Sequence, residues 1–147
     1  MSEVAVTDAS RPAVEALQAA ISTLPQPQFP TEHIFHGGMY CRQVWRPAGA
    51  LIVGKVHKKD HFYMVVYGTV LITSDDGPVE VTGPYLFQSK PGTKRAVYAL
   101  TDALCMTFHR ADSETVEAVE DELVEEDPAS MYGVGNVPKP PVVEVLI

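Results

Sequence analysis

Cysteine, tryptophan and long apolar runs are all scarce in this sequence. Its 147 residues include two cysteines and one tryptophan. Cys41 and Cys105 are too few for a disulfide framework. Both lie in strand-like, apolar surroundings, where a free thiol behaves as a small buried hydrophobe. No apolar stretch approaches the ~20 residues of a membrane span, and the N-terminus lacks the basic-then-apolar pattern of a signal segment. A cytoplasmic chain with no membrane partner is expected.

Basic residues are missing from one block. Between Asp112 and Asp127 stand nine carboxylates and no lysine or arginine, leaving ten acids against eleven bases elsewhere. The net charge of −8 is therefore local. The chain as a whole has no basic surface for a nucleic-acid groove, and no nucleic-acid partner is expected. The acidic block also lacks the alternating oxygen ligands and central glycine of a calcium loop, and reads as a solvated helix face. No Ser-His-Asp arrangement is identifiable. Gly133-x-Gly135 has neither the preceding strand nor the following helix and lysine of a phosphate loop.

What is present divides the chain into three. Residues 1–30 hold a short amphipathic helix over about 11–23 and a proline-rich linker, PQPQFP. Ser10 is the expected N-cap, Pro12 is tolerated early in the helix, and Val14, Leu17, Ile21 and Leu24 recur at helical spacing. That stripe must lie on the rest of the chain or on another subunit, because so short a helix is marginal alone. Residues 31–110 break into nine short strand candidates, about 32–36, 39–46, 50–56, 61–67, 69–74, 78–82, 84–88, 94–99 and 103–109, separated by Gly, Pro, Asn/Asp and Ser turn chemistry. Many short strands at regular spacing predict a sandwich or barrel rather than βαβ units. Residues 111–147 read as an acidic helix capped by Ser113, then an extended tail ending VVEVLI. Val142, Val143, Val145 and Leu146 make that end apolar and strand-like, suited to packing on the barrel or pairing with a neighbour's edge.

Two segments carry a family resemblance: GKVHKKDHFYMVVYG over 54–68 and SKPGTKR over 89–95. They resemble the two motifs of the cupin superfamily, which implies an all-β jelly-roll barrel, the double-stranded β-helix, with short flanking helices. Setting the first motif's last glycine on Gly68 places the family's glutamate ligand position at His61. The two histidine positions fall on His57 and Lys55. In the second motif Pro91-Gly92 matches the turn, the third histidine position falls on Arg95, and the following asparagine position on Ala99. The sequence also resembles small cupin-like proteins of bacteriophages and prophages, in PAGALIVGKVHKKDH and SKPGTKRAVYALTDA.

Strand periodicity puts 55 and 57 on one face and 61, 63 and 65 on one face. On the family's barrel, Lys55, His57, His61, Tyr63 and Arg95 then converge at one mouth. Only His57 and His61 suit a divalent metal (Fe, Mn, Ni or Zn), with His109, Cys105 or His36 as a third donor. Lys55 and Arg95 would repel such a cation in a low-dielectric cavity. They suit instead a carboxylate or phosphate, together with Tyr63 and Lys94. No cofactor and no catalytic residue is expected.

The leading expectation is a non-enzymatic, homo-oligomeric binding or assembly protein, in the host cytoplasm or in a virion beside other virion proteins. Its assembly elements would be the Val14/Leu17/Ile21/Leu24 stripe and the apolar tail. A small metal-dependent isomerase or dioxygenase using His57 and His61 is one alternative. A binder of a small anion at Lys55 and Arg95 is the other.

Overall fold

The computed structural model describes residues 8–139. Among the described residues nine strands form: β1 Thr31–His36, β2 Met39–Arg46, β3 Leu51–Val53, β4 His61–Tyr67, β5 Thr69–Ile72, β6 Val79–Thr82, β7 Tyr85–Ser89, β8 Ala96–Ala99 and β9 Ala103–Arg110. They make two antiparallel sheets, β1-β2-β9-β4-β7 and β3-β8-β5-β6. Helix α1, Arg11–Ile21, precedes the strands and α2, Val116–Leu123, follows them. This is the jelly-roll architecture that the cupin resemblance implies, within the sandwich-or-barrel class that the strand spacing predicts. Among the described residues no helix is long and apolar enough to cross a membrane. The tail positions Val142, Val143, Val145 and Leu146 lie outside the described residues.

Each strand lasts as long as its alternation does. In β4 the inner positions His61, Tyr63 and Val65 are buried while Phe62 is exposed, as period-2 packing on a barrel requires. The 50–56 strand shrinks to Leu51–Val53 because the chain then leaves the ladder. Beyond β3 it keeps isolated bonds, among them Gly54 N–H to the Arg95 carbonyl, His57 N–H to the Thr93 carbonyl and Gly92 N–H to the His57 carbonyl. Gly68 joins β4 to β5 at φ +88, and an added Cβ would lie 2.2 Å from the Asp102 carbonyl oxygen. Only glycine fits there. Gly37 and Gly38 join β1 to β2 at φ +57 and +78 and set the His36–Met39 pairing. Two positive φ values define a type I′ hairpin turn.

Ser10 stands at the N-cap position of α1, as expected, but it also ends a 3-10 turn, Asp8–Ser10, and makes no side-chain capping bond. For α2 the cap is Thr115, whose Oγ1 accepts from Ala118 N–H, because the Glu122 carboxylate has drawn in Ser113 N–H and Oγ–H.

Three buried clusters share the interior. The apolar half of the barrel holds Val65, Val70, Ile72, Val81, Phe87, Val97 and Ala99. A second cluster joins Val14 and Phe29 from the N-terminal segment and Met131 and Tyr132 from the C-terminal one to Val44, Val53 and Ala96 of the barrel. A third packs Val119 and Leu123 of α2 on Tyr40 and Ala111. The α1 stripe thus takes the first of its two options. Val14 is fully buried, with Leu17 and Ile21 packed against the same barrel cluster, and only Leu24 remains exposed. The chain's own barrel thus takes up Val14 wholly and Leu17 and Ile21 in part, three residues of the stripe expected to serve assembly.

Candidate binding cavity in the barrel

The other half of the barrel interior is polar. The register lays its side chains in rows across the large sheet. One row runs His33, Arg42, Thr107, Tyr63 and Phe87, and the next runs Thr31, Val44, Cys105, Val65 and Tyr85. Nearer the barrel end Tyr40 pairs with His109 and His61 with Ser89. Lys55 and His57 enter on the segment that leaves β3, and Arg95 on the residue before β8.

Two adjoining cavities of about 90 and 80 Å³ lie within. Both are lined by Arg42, Lys55, His57, Thr107 and Asn136. Arg46, Tyr63 and Arg95 line the second, and Tyr40, His109 and Glu120 the first. A water takes about 30 Å³ of liquid, so the space suits a few waters or one small oxyanion rather than a drug-sized molecule. Glu120 is the one carboxylate on the walls, and its oxygens already accept from Gly135 N–H.

Several polar atoms here are buried without a hydrogen-bond partner: Nε of Arg42, Arg46 and Arg95, the Thr107 hydroxyl, His57 Nδ1 and His61 Nε2. Each such orphan costs about 1–3 kcal/mol. So many in one place point to a ligand or ordered water that completes them. Arg95 donates from Nη2 to Ser89 Oγ and lies 5.0 Å from the Tyr63 ring centroid, a cation–π contact. Burial lowers its pKa to about 10, although the Tyr63 hydroxyl opposes the shift. Burial also lowers Arg42. Burial pushes Tyr63 up, and the Cys105 thiol beside its hydroxyl adds to the effect.

Three imidazoles stand together. The His57 and His61 ring centroids are 4.2 Å apart, His61 and His109 4.8 Å, and His57 and His109 5.7 Å. Burial is the first cause that depresses all three: His61 falls to about 4, His109 to about 3, and His57 well below its ordinary value. Arg95 pushes His57 and His61 the same way, and Arg42 pushes His57 and His109. His61 donates from Nδ1 to the Lys59 carbonyl at 3.2 Å, which leaves Nε2 as a bare acceptor. The rings are neutral at pH 7.

As placed, these rings do not make a metal centre. Their planes are within 25° of parallel, so lone pairs that lie in those planes do not meet at one point. Among the described residues no group of three His, Cys, Asp or Glu is arranged to hold a metal ion. Arg95 and Arg42 also bring positive charge to the histidines.

The sequence-derived residues separate. Lys55, His57, Tyr63 and Arg95 meet at the cavities, whereas His61 stands behind His57 and lines an outer groove instead. Lys94 is a correction: it points away from the cavity, 4% exposed, and binds Asp127 at 3.1 Å and Gln18 at 2.6 Å. Of the third-donor candidates, His109 joins the stack, His36 is exposed on the outer sheet face, and Cys105 packs in the apolar core where it borders the second cavity. Ala99, at the family's asparagine position, is also buried in that core. Sequence reasoning missed Arg42, Arg46, Thr107 and Asn136. The two arginines had a signal in Tyr40-x-Arg42-x-Val44-x-Arg46, a period-2 set whose members share one face.

No family model matches the chain, and no curated protein matches it in sequence. Solved structures match in shape. A cupin superfamily protein from Desulfitobacterium hafniense is 12% identical, with a TM-score of 0.50 over 60% of this chain and 83% of that one. An RmlC-like cupin from Shewanella frigidimarina is 18% identical, with a TM-score of 0.50 over 62% and 86%. Salicylate 1,2-dioxygenase from Pseudoaminobacter salicylatoxidans is 10% identical, with a TM-score of 0.52 over 68% of this chain but 31% of its own. At these identities the likeness establishes a shared fold.

Proposed function

We propose that this cupin-fold chain is a non-enzymatic binding protein whose barrel holds a small anion, a carboxylate or a phosphate-sized oxyanion. One observation carries the reading: buried Arg46 and Arg95, with partly buried Arg42 and Lys55, surround cavities whose volume suits such a group, and the three guanidinium Nε atoms there lack partners. An oxyanion would accept from those donors and offset their mutual repulsion in a low-dielectric interior. Thr107 and Asn136 add neutral donors.

The chain is read as an oligomer, and its phage-like segments favour an accessory or virion component. That part is tested by looking for the chain in purified particles. The anion site is tested by thermal unfolding in inorganic phosphate, sulfate and acetate. A ligand at a hundred times its Kd stabilises by about 2.7 kcal/mol, which raises the midpoint by roughly 5–10 °C in a chain of this size. Arg95→Ala and Arg42→Gln should abolish the rise. If none of the three anions moves the wild-type midpoint, the reading fails.

A metal-dependent enzyme remains the second reading, favoured by the bare nitrogens of His57 and His61. It requires the stacked rings to turn. About one metal per purified chain, lost in His57→Ala, would put it first.

A further inference from the structure

The two cavities differ in chemistry. Arg46 and Arg95 line only the second, which makes that end rich in donors. Tyr40, His109 and Glu120 line only the first, which makes that end rich in acceptors. Arg42, Lys55 and His57 border both and stand where the two meet. Glu120 comes from α2 and makes no ion pair among the described residues. Its carboxylate accepts there only from Gly135 N–H, which leaves most of its lone pairs open. The Tyr40 hydroxyl bonds His33 Nδ1 at 2.6 Å and keeps a further lone pair. The Tyr40 and His109 ring centroids are 5.7 Å apart, as are those of His109 and His57. His57 Nδ1 has no partner, and each neutral imidazole offers one bare nitrogen.

We propose that the ligand of this barrel is a small amino carboxylic acid bound as its zwitterion. Its carboxylate lies among Arg42, Arg46 and Arg95, and its ammonium lies against Glu120, Tyr40 and an imidazole nitrogen. This rests on the anion reading of the proposed function and names the class of ligand. The head group follows from the acceptors. An ammonium carries three donors and no acceptor, and a carboxylate, a phenol oxygen and an imidazole nitrogen face the first cavity. A hydroxyl has one donor and would leave Glu120 without a counter-charge. A second oxyanion there would be repelled by Glu120 in a low-dielectric interior. The two positive side chains that would most oppose an ammonium, Arg46 and Arg95, are confined to the other cavity. Size agrees, since each cavity takes about one small polar group and the two adjoin.

The test is thermal unfolding of the full chain with matched probes: acetate against glycine, propionate against β-alanine, and butyrate against 4-aminobutyrate. Within each pair only the ammonium differs, and the series of lengths finds the separation of the two ends. For the amino acid of best length the apparent Kd should lie about ten-fold below its partner's, as a charge-assisted bond allows. Glu120→Gln keeps an oxygen for Gly135 N–H and should bring that pair level, leaving the plain acid's affinity unchanged. Arg95→Ala should weaken both members alike. The proposal is overturned if no amino acid binds more tightly than its partner, or if the advantage survives in Glu120→Gln. It is overturned too if the hydroxy acid of the same length binds as well as the amino acid. In each of these cases the plain anions still bind, so the anion reading stands. If no anion moves the wild-type midpoint, both fall.

Discussion

The histidine stack makes stability depend on pH through residues that carry no charge in the folded chain. His61 and His109 are each 6% exposed, and their folded pKa values of about 4 and about 3 lie below the ordinary 6.5. Between those values and 6.5 the unfolded chain binds more protons than the folded one. Stability is therefore complete above pH 6.5 and lost as pH falls toward 4. At about 1.4 kcal/mol per pKa unit, going from pH 7 to pH 4.5 should remove about 3 kcal/mol for each of these two histidines, roughly 10 °C of melting temperature apiece. His109→Gln should remove its own share of that loss and make the profile shallower, since glutamine fills the site without titrating while His61 still does. A wild-type midpoint level from pH 7 to 4.5 would contradict the burial argument. Lys94 is a different case, a buried cation held by Asp127 and Gln18. Burial pushes the Asp127 carboxyl up, yet its bonds to Gln18 and Lys94 prevail and hold it below its usual range.

At the scale of elements, all nine strands were legible because turn residues bracket short alternating runs. Their inner and outer faces were less so. In β2 the odd positions, Met39, Cys41, Gln43 and Trp45, are the more apolar set, yet Tyr40, Arg42, Val44 and Arg46 face inward. Hydropathy alone reads that strand inside out, which is why two cavity arginines were missed. Of the positions carried over by the motif alignment, Lys55, His57 and Arg95 do converge, and Tyr63 joins them by strand period, because the spacing between turns is independent of hydropathy. Asn136 was beyond reach, since it arrives from a 3-10 turn, Val134–Asn136, far along the chain. The β4–β5 connection gives a direct test. Gly68→Ala would place a Cβ against backbone at a left-handed φ. It should cost more than about 2 kcal/mol in urea unfolding, and a loss below about 0.5 kcal/mol would mean that the turn yields.

For the whole molecule, the barrel and its flanking segments share their buried clusters. Val44, Val53 and Ala96 are closed over by Val14, Phe29, Met131 and Tyr132, and Tyr40 by Val119 and Leu123. A fragment of residues 31–110 is therefore expected to express as an aggregating or partly folded chain, with broad unfolding and strong dye binding. A sharp cooperative transition in that fragment would show that the barrel is self-sufficient. The helices were recognisable from their periodicity, but periodicity could not say which surface would receive the apolar stripe.

The hairpin at Gly37 and Gly38 acquires a larger meaning from the strand it introduces. Shift β2 by one residue and Met39, Cys41, Gln43 and Trp45 would turn inward while both arginines moved out to water, because a slip of one exchanges the two faces of a strand. Burial alone would reward that slip. A two-residue turn with both φ values positive does not permit it, since it fixes His36 opposite Met39. The charge of the chamber is thus written in a turn that never touches it. An inserted residue between those glycines could convert an arginine-lined vessel into a greasy one while every chemical group of the vessel stayed in the sequence.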